Sequence, residues 1–235
     1  MRRATPAPAS PARRSSSPIA RNERSGRVTL HLIAYSDYLC PWCFNAAVRL
    51  RRVEAEFAGA VTVEWRSFLL RPQPDPRRTL EKFRAYTQSW LRAAADPDGG
   101  EFSVWRTDAG PPSHSVPPHL VAKAAAALGP QAFERMHAAL LRAYFTDNRD
   151  ITDATTLRAI WSECDLPADA LATAEAPETL RAVIEQHNEA LELGITGVPA
   201  VHVAGDDAFV VGAQPLETYR RWVQRLLGRG AKDKS

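Results

Sequence analysis

The chain has 235 residues, 45% of them hydrophobic, which is enough for one large domain or for one domain with an insertion. Residues 1–27 carry a net charge of +6 and the whole chain carries +3, so the remainder carries −3. The pI of about 8.9 therefore gives no argument for a nucleic-acid-binding domain, because the basic charge lies in the first 27 residues. Three cysteines are too few for a disulfide-stapled secreted scaffold, and no apolar run is long enough to span a membrane.

The first 27 residues consist largely of Ala, Pro, Ser and Arg. Such a segment buries too little apolar surface to offset its ordering entropy, so we expect residues 1–27 to be disordered, and likewise residues 229–235. A tail without function or an artefact of a misplaced start codon is the simpler interpretation of the first segment, and a weak anionic tether or an organelle-targeting peptide is the alternative. Because no apolar stretch of a secretory signal precedes Val28, we expect a cytoplasmic protein.

The next elements form a β-α-β pattern. Residues 28–34 are β-branched and alternating, which predicts a strand, and apolar residues recur at helical spacing from Cys43 to Phe57. A second alternating stretch, residues 61–69, ends at the cluster Pro72, Pro74 and Pro76. A unit of this length predicts two parallel strands joined by a right-handed crossover.

Residues 77–194 change to helical patterns. Apolar residues recur at helical spacing over 80–90, 120–128, 133–144, 153–164 and 180–191. The run Asp-Pro-Asp-Gly-Gly at 96–100 breaks the first of these patterns. So many helices between strands indicate an inserted helical subdomain.

Strand signals return at residues 199–203 and 208–211, joined by a short loop at 205–207, and a last helix runs from Pro215 to Gly228. The order β-α-β, helical insert, β-β-α predicts an α/β protein: a thioredoxin fold with a large helical insertion. The thioredoxin-fold domain then comprises residues 28–76 and 195–228, and the inserted subdomain comprises residues 77–194.

Two cysteines lie at the predicted strand-to-helix turn, in Cys40-Pro41-Trp42-Cys43. Unpaired N–H groups and the helix dipole favour a thiolate at Cys40, while Cys43 lies one turn inside on the core-facing stripe. An activated outer thiol and a shielded inner thiol form a dithiol–disulfide exchange centre. Half of a zinc site and two incidental core cysteines are the alternatives, but zinc needs further ligands and the sequence has no second cysteine pair.

The cysteine pair followed far downstream by Thr196-Gly197-Val198-Pro199 resembles the DsbA-like thioredoxin superfamily. Within it, the chain is similar to the FrnE type of thiol oxidoreductase, whose relatives include 2-hydroxychromene-2-carboxylate isomerases and kappa-class glutathione transferases. The resemblance covers roughly residues 28–227. It implies that Pro199 is cis and faces the cysteines, and that Val198, Pro199, Pro41 and Trp42 contact the substrate. Trp65 is a further candidate for apolar surface near the sulfurs.

Other polar residues are weaker candidates. His114 and His119 lie where the chain enters the insert, and either can tune Cys40, although helix capping or exposure to solvent is the simpler interpretation. Asp37 is close to Cys40, where a carboxylate opposes thiolate formation, or it caps the helix. Cys164 fits a buried, inert thiol.

These observations predict a thiol–disulfide oxidoreductase in which Cys40 attacks and Cys43 resolves. Its partners are thiol- or disulfide-containing substrates, with glutathione or a thiol reductase as exchange partner. No metal, nucleotide, nucleic acid or membrane is implied, and glutathione is the one candidate co-substrate. The alternatives are a glutathione-dependent isomerase or transferase on the same fold and a chaperone-like binding protein without turnover.

Overall fold

The computed structural model describes residues 19–21, 28–205 and 209–232. The strands are β1 (Ile19–Arg21), β2 (Val28–Ser36), β3 (Val61–Ser67), β4 (Ala200–Val203) and β5 (Phe209–Val211). The helices are α1 (Pro41–Glu56), α2 (Leu80–Thr87), α3 (Trp90–Ala94), α4 (Val116–Ala127), α5 (Pro130–Phe145), α6 (Ala154–Glu163), α7 (Pro177–Glu192) and α8 (Leu216–Lys232). A 3₁₀ helix, Ala168–Glu175, lies between α6 and α7.

The strands form one mixed sheet with β2 at its centre. β3 pairs with β2 in parallel along one edge, from Leu30 opposite Val61 to Ser36 opposite Ser67. β4 pairs antiparallel with β2 on the other edge, where β1 pairs with the start of β2, and β5 extends the sheet beyond β4. The predicted parallel β-α-β unit and the α/β thioredoxin fold with inserted helices are therefore confirmed.

Period-two alternation along β2 sends its side chains into two separate cores. Leu30, Leu32 and Ala34 pack in the larger core with the apolar faces of α1, α8 and the inserted helices. Ile33 and Tyr35 point to the opposite face, where a smaller core includes residues of α7. Because both faces of the sheet are covered, the end of β2 that leads into α1 lies inside the protein.

The 96–100 run attaches the insert to α1. Asn45 of α1 donates to the carbonyl of Ala93, and its Oδ1 accepts a hydrogen bond from the amide of Gly100 at 2.9 Å. A Cβ at Gly99 would lie 2.3 Å from Asn45 Oδ1, so only glycine fits there. The fully buried Arg49 forms an ion pair with Asp96, and it also donates to three backbone carbonyls. The run predicted as a helix break therefore fixes α3 beside the N-terminal half of α1.

Several predicted boundaries were wrong. The helical pattern at 80–90 is split into α2 and α3, since Thr87 Oγ1 donates to the carbonyl of Arg84 and so competes with the helix hydrogen bonds. Three residues of the predicted disordered first segment form β1, and α8 continues through Gly228 to Lys232. α8 tolerates this glycine because it is anchored by buried residues, among them Leu216, Tyr219 and Val223. The rest of the tail, most of the 205–207 loop and residues 233–235 lie outside the described residues.

Candidate active site

Cys40 is the N-cap residue of α1, and Pro41 occupies the first turn. The backbone of Cys40 is extended, with φ −97° and ψ 115°, as is typical of an N-cap residue. At this position the pKa of the Cys40 thiol is lowered, first by a hydrogen bond from the Cys43 side chain and then by the backbone amides of Cys43 and Trp42. Proline at the first position removes an N–H that no helical carbonyl would accept.

The pKa values of the two thiols are shifted in opposite directions. The pKa of Cys40 is lowered, chiefly by a hydrogen bond from the Cys43 thiol. The pKa of Cys43 is raised well above its usual value, chiefly by burial and then by donating that hydrogen bond. Cys40 therefore loses its proton more readily than Cys43, as expected of a nucleophilic thiol beside a resolving thiol. Both thiols are free in the structure.

The prediction that Cys40 is the exposed thiol was wrong. Only 6% of its surface is exposed, against none for Cys43. The loop before β4 covers the sulfur, because the Cys40 thiol donates a hydrogen bond to the carbonyl of Val198, with the two atoms 3.4 Å apart. The Val198–Pro199 peptide bond is cis, and Pro199 is buried. Exposure therefore does not distinguish the two thiols, which differ in the hydrogen bonds that they form. A substrate reaches the Cys40 sulfur through a groove.

Asp37 is buried directly before the cysteine turn. Its Oδ1 accepts from the amide of Leu39 at 2.6 Å, and its Oδ2 accepts from the amide of Leu70 at 2.7 Å. Burial raises the pKa of this carboxyl to about 6, although hydrogen bonds from the Ser115 side chain and the two amides partly oppose the shift. Asp37 therefore joins the cysteine turn to the segment after β3. It does not cap α1, because its oxygens accept from Leu39 and Leu70 and from no amide of that helix.

A groove of about 290 Å³ opens beside Cys40. The apolar part of its lining comes from the start of α1 and from the segment after β3, and the polar part comes from α2, α3 and the turn between them. The lining residues are Leu39, Cys40, Pro41, Trp42, Leu70, Tyr86, Ser89 and Arg92. The reactive sulfur is thus reachable from a surface that the thioredoxin core and the insert build together.

The model of the DSBA-like thioredoxin domain matches residues 31–224 of this chain. The match includes both cysteines, Val198 and every residue lining the groove. The chain belongs to the family of DSBA-like thioredoxin domains.

One curated protein and several solved structures are similar to this chain. Protein YwbO of Bacillus subtilis (strain 168) is 25% identical over 213 residues, covering 83% of this chain and 96% of YwbO. A candidate protein disulfide isomerase from Nitrosomonas europaea has a TM-score of 0.72 at 18% identity, covering 86% of this chain and 98% of its own. The cytosolic disulfide reductase DsbM from Pseudomonas aeruginosa has a TM-score of 0.67 at 23% identity, with 84% and 98% covered, and has also been solved with glutathione. The structural likenesses show the DsbA-like fold.

The other residues singled out from the sequence lie in different places. His114 contacts its neighbour Ser113, with 2.7 Å between its Nδ1 and the hydroxyl, and does not line the groove. His119 is buried against Tyr38, beneath the cysteine turn. Trp42 is 40% exposed at the groove, whereas Trp65 is buried against His137. Of the two tryptophans, only Trp42 lines the groove.

The residues on the polar side of the groove were not identified from the sequence. Tyr86, Ser89 and Arg92 belong to elements for which the sequence predicts helix but no direction toward the cysteines. The available signal was the Asp-Pro-Asp-Gly-Gly run, whose contacts with α1 bring α3 to the site. In the part of the chain that the structure describes, no helix is long and apolar enough to cross a membrane, and no group of three His, Cys, Asp or Glu side chains could hold a metal.

Proposed function

We propose that this DsbA-family protein is a thiol–disulfide oxidoreductase that works by dithiol–disulfide exchange between Cys40, Cys43 and a thiol or disulfide substrate. The observation that carries the proposal is the placement of two free thiols at the start of one helix, with the Cys40 sulfur 3.4 Å from the Val198 carbonyl and beside the groove. The pKa shifts agree with it, since the pKa of Cys40 is lowered and that of Cys43 is raised. Two incidental core cysteines have no reason to differ in this way, and both would be expected to have raised values.

The order of the reaction steps follows from the different pKa values of the two thiols. The Cys40 thiolate attacks one sulfur of a substrate disulfide, forms a mixed disulfide and releases the other half as a thiolate. The negative charge on Cys40 is then gone, so one of the influences that raise the pKa of Cys43 disappears. Cys43 loses its proton and attacks Cys40, which releases the second substrate thiolate and closes the Cys40–Cys43 disulfide. Two molecules of a thiol such as glutathione, which leave as their disulfide, or one dithiol reductase, which leaves oxidised, supply the two electrons that restore the dithiol.

Val198 positions the partner in this proposal. Its carbonyl lies 3.4 Å from the Cys40 sulfur, and Pro199 next to it has no N–H. An extended substrate segment can add to the backbone of Val198 as a strand would, with its sulfur directed at Cys40. Pro41 and Trp42 form the adjacent part of the groove lining, which suits them to contact the same substrate.

A glutathione-dependent isomerase or transferase is the second candidate. The likeness of the fold to that of a 2-hydroxychromene-2-carboxylate isomerase, with a TM-score of 0.63 at 16% identity, supports this candidate. In such an enzyme the resolving cysteine is dispensable, whereas dithiol exchange needs both. A chaperone-like protein needs neither. The three functions therefore differ in how they respond to loss of each cysteine.

The test uses Cys40→Ser and Cys43→Ala in the full chain, with Cys164→Ser as a matched control that removes a buried thiol outside the site. Reduction of a peptide disulfide should fall to background in Cys40→Ser, because no thiolate remains to attack. Cys43→Ala should accumulate a mixed disulfide at Cys40, visible as an added mass on the intact protein, and Cys164→Ser should behave as wild type.

Full turnover in Cys40→Ser would overturn the proposal, because the reaction would then not pass through this thiol. A wild type that reduces no peptide disulfide would also overturn it and would leave the chaperone-like function. Glutathione-dependent conversion of an aromatic substrate that survives Cys43→Ala would instead support the isomerase or transferase.

A further inference from the structure

The groove beside Cys40 has a cationic side with no carboxylate to balance it. Arg92 is exposed on α3, and among the described residues it has no ion-pair partner. Arg71 and Arg78 lie close enough to Tyr86 to lower the pKa of its hydroxyl, although burial raises that pKa overall. No Asp or Glu lines the groove. The nearby Asp37 is buried behind the wall, and its oxygens are already occupied by hydrogen bonds.

The hydrogen-bonding groups of the groove suit a carboxylate. Tyr86 and Ser89 supply hydroxyl groups, and Arg92 supplies a planar guanidinium that can donate two parallel hydrogen bonds. These three residues come from one short stretch of the insert. The apolar side chains of Trp42 and Leu70 complete the lining and can pack against methylene groups.

The size of the groove limits the occupant. A volume of about 290 Å³ is at the lower end of small-molecule pockets, which begin near ~300 Å³. It accommodates the arm of a small disulfide with its terminal group, with the sulfur at Cys40 and the terminal group at the polar side. A bulky protein surface would contact only the rim.

We propose that the groove is a subsite for a low-molecular-weight disulfide whose arm bears a carboxylate, with Arg92 as the residue that sets this preference. The inference rests on the proposed exchange chemistry and adds the substrate class. The chemical step is unchanged: Cys40 bonds to the sulfur of the bound arm, and the other arm leaves as its thiolate. Arg92 acts on recognition and not on the thiol.

The experiment compares three disulfides with the same two-carbon arm: dithiodipropionate (anionic), 2-hydroxyethyl disulfide (neutral) and cystamine (cationic). The second-order rate of oxidation of the reduced protein is measured for each, and is divided by the rate of free 2-mercaptoethanol with the same disulfide to remove intrinsic reactivity. The variants are Arg92→Gln, Arg92→Lys and a matched control, Arg158→Gln, on α6 away from the groove.

Wild type should prefer the anionic disulfide over the neutral one, and added salt should shrink that preference by screening. Arg92→Gln should lose about three- to fivefold with dithiodipropionate, the effect of a solvent-open ion pair, and leave the neutral rate unchanged. Arg92→Lys should keep part of the preference, because the charge remains while the planar fork is lost. Arg158→Gln should match wild type.

An equal loss of all three rates in Arg92→Gln would show a structural role and overturn the inference, as would a wild type without charge preference. These results differ from failure of the proposed function, in which wild type oxidises with none of the three disulfides.

Discussion

The segment from Ser36 to Cys40 separates two regions of different chemistry. On one side lies the groove, which is open, lined by Cys40 and Arg92 and bordered by exposed aromatic surface from Trp42. On the other side lies a cavity of only about 20 Å³, lined by Ser36, Tyr38, Trp65, Arg66, Ser67, His119, Ala122, Lys123, Phe133 and His137. Both regions are rich in polar groups, but only the groove is large enough to hold the arm of a substrate.

The buried side keeps its imidazoles neutral. Burial lowers the pKa of His119 to about 3 and the pKa of His137 well below its usual range, and the charges of Lys123 and Arg51 add to these shifts. Arg51 can only donate, so Nδ1 of His137, 2.9 Å away, must accept and carries no proton. The comparison teaches that this fold places the exposed Arg92 where a substrate meets Cys40 and holds the two imidazoles beneath in neutral form.

Lowering the pH should have the largest effect on stability, because the two buried histidines are neutral only in the folded protein. A histidine that is neutral when folded but charges at its ordinary pKa when unfolded stabilises the protein above about pH 6.5, and this stability is lost as pH falls. With two such residues, the free energy of unfolding should drop by about 2–3 kcal/mol between about pH 6.5 and about pH 5.5. Urea unfolding at a series of pH values measures it.

The variant His137→Gln retains an acceptor for Arg51 and should show roughly half of this pH dependence. His31→Gln, on a half-exposed histidine of β2, serves as the matched control and should keep all of it. The same steep loss in His137→Gln as in wild type would mean that the buried imidazoles do not carry the effect.

Asp37 lies between the two regions and should give a shallower pH dependence of opposite sign. Because its pKa is raised from 3.8 to about 6 in the folded protein, its protonated form favours folding at low pH, and that contribution is lost as pH rises toward 6. Relative to Asp37→Asn, wild type should therefore lose about 1.4 kcal/mol of unfolding free energy per pH unit over this window, as an upper limit.

The variant also loses one of the two amide hydrogen bonds, since Asn offers a single acceptor where Asp37 uses both oxygens. That cost does not change with pH, so only the slope of the difference reports on the carboxyl. Parallel stability curves for wild type and Asp37→Asn would contradict the raised pKa.

Much of the thioredoxin core could be predicted from the sequence because its signals are local. Alternation along residues 28–36, helical spacing after Cys43 and the Cys-Pro-Trp-Cys turn each depend on neighbours within one or two turns of chain. The resemblance to known families supplied Val198 and Pro199, whose approach to Cys40 spans more than 150 residues and leaves no local pattern.

The polar side of the groove and the neutral layer could not be predicted, for a physical reason. Helical periodicity shows which face of α2 or α4 is buried but not which element buries it. Arg92 reaches the site only because Arg49 and Asn45 hold the 96–100 run against α1, and His119 meets Tyr38 only because α4 packs under the cysteine turn. Such contacts join distant segments through side chains, and one sequence does not reveal them.

The most direct test of the central claim is the pH dependence of alkylation of each cysteine, followed by peptide mass mapping after brief exposure of the reduced protein to iodoacetamide. Cys40 should react first, with a midpoint below the ordinary thiol value of 9.0, and Cys43 should stay unlabelled at the same pH. In Cys43→Ala the midpoint of Cys40 should rise, because the hydrogen bond that lowers its pKa most is removed. A Cys40 midpoint at or above the ordinary value, or Cys43 labelling first, would contradict the account.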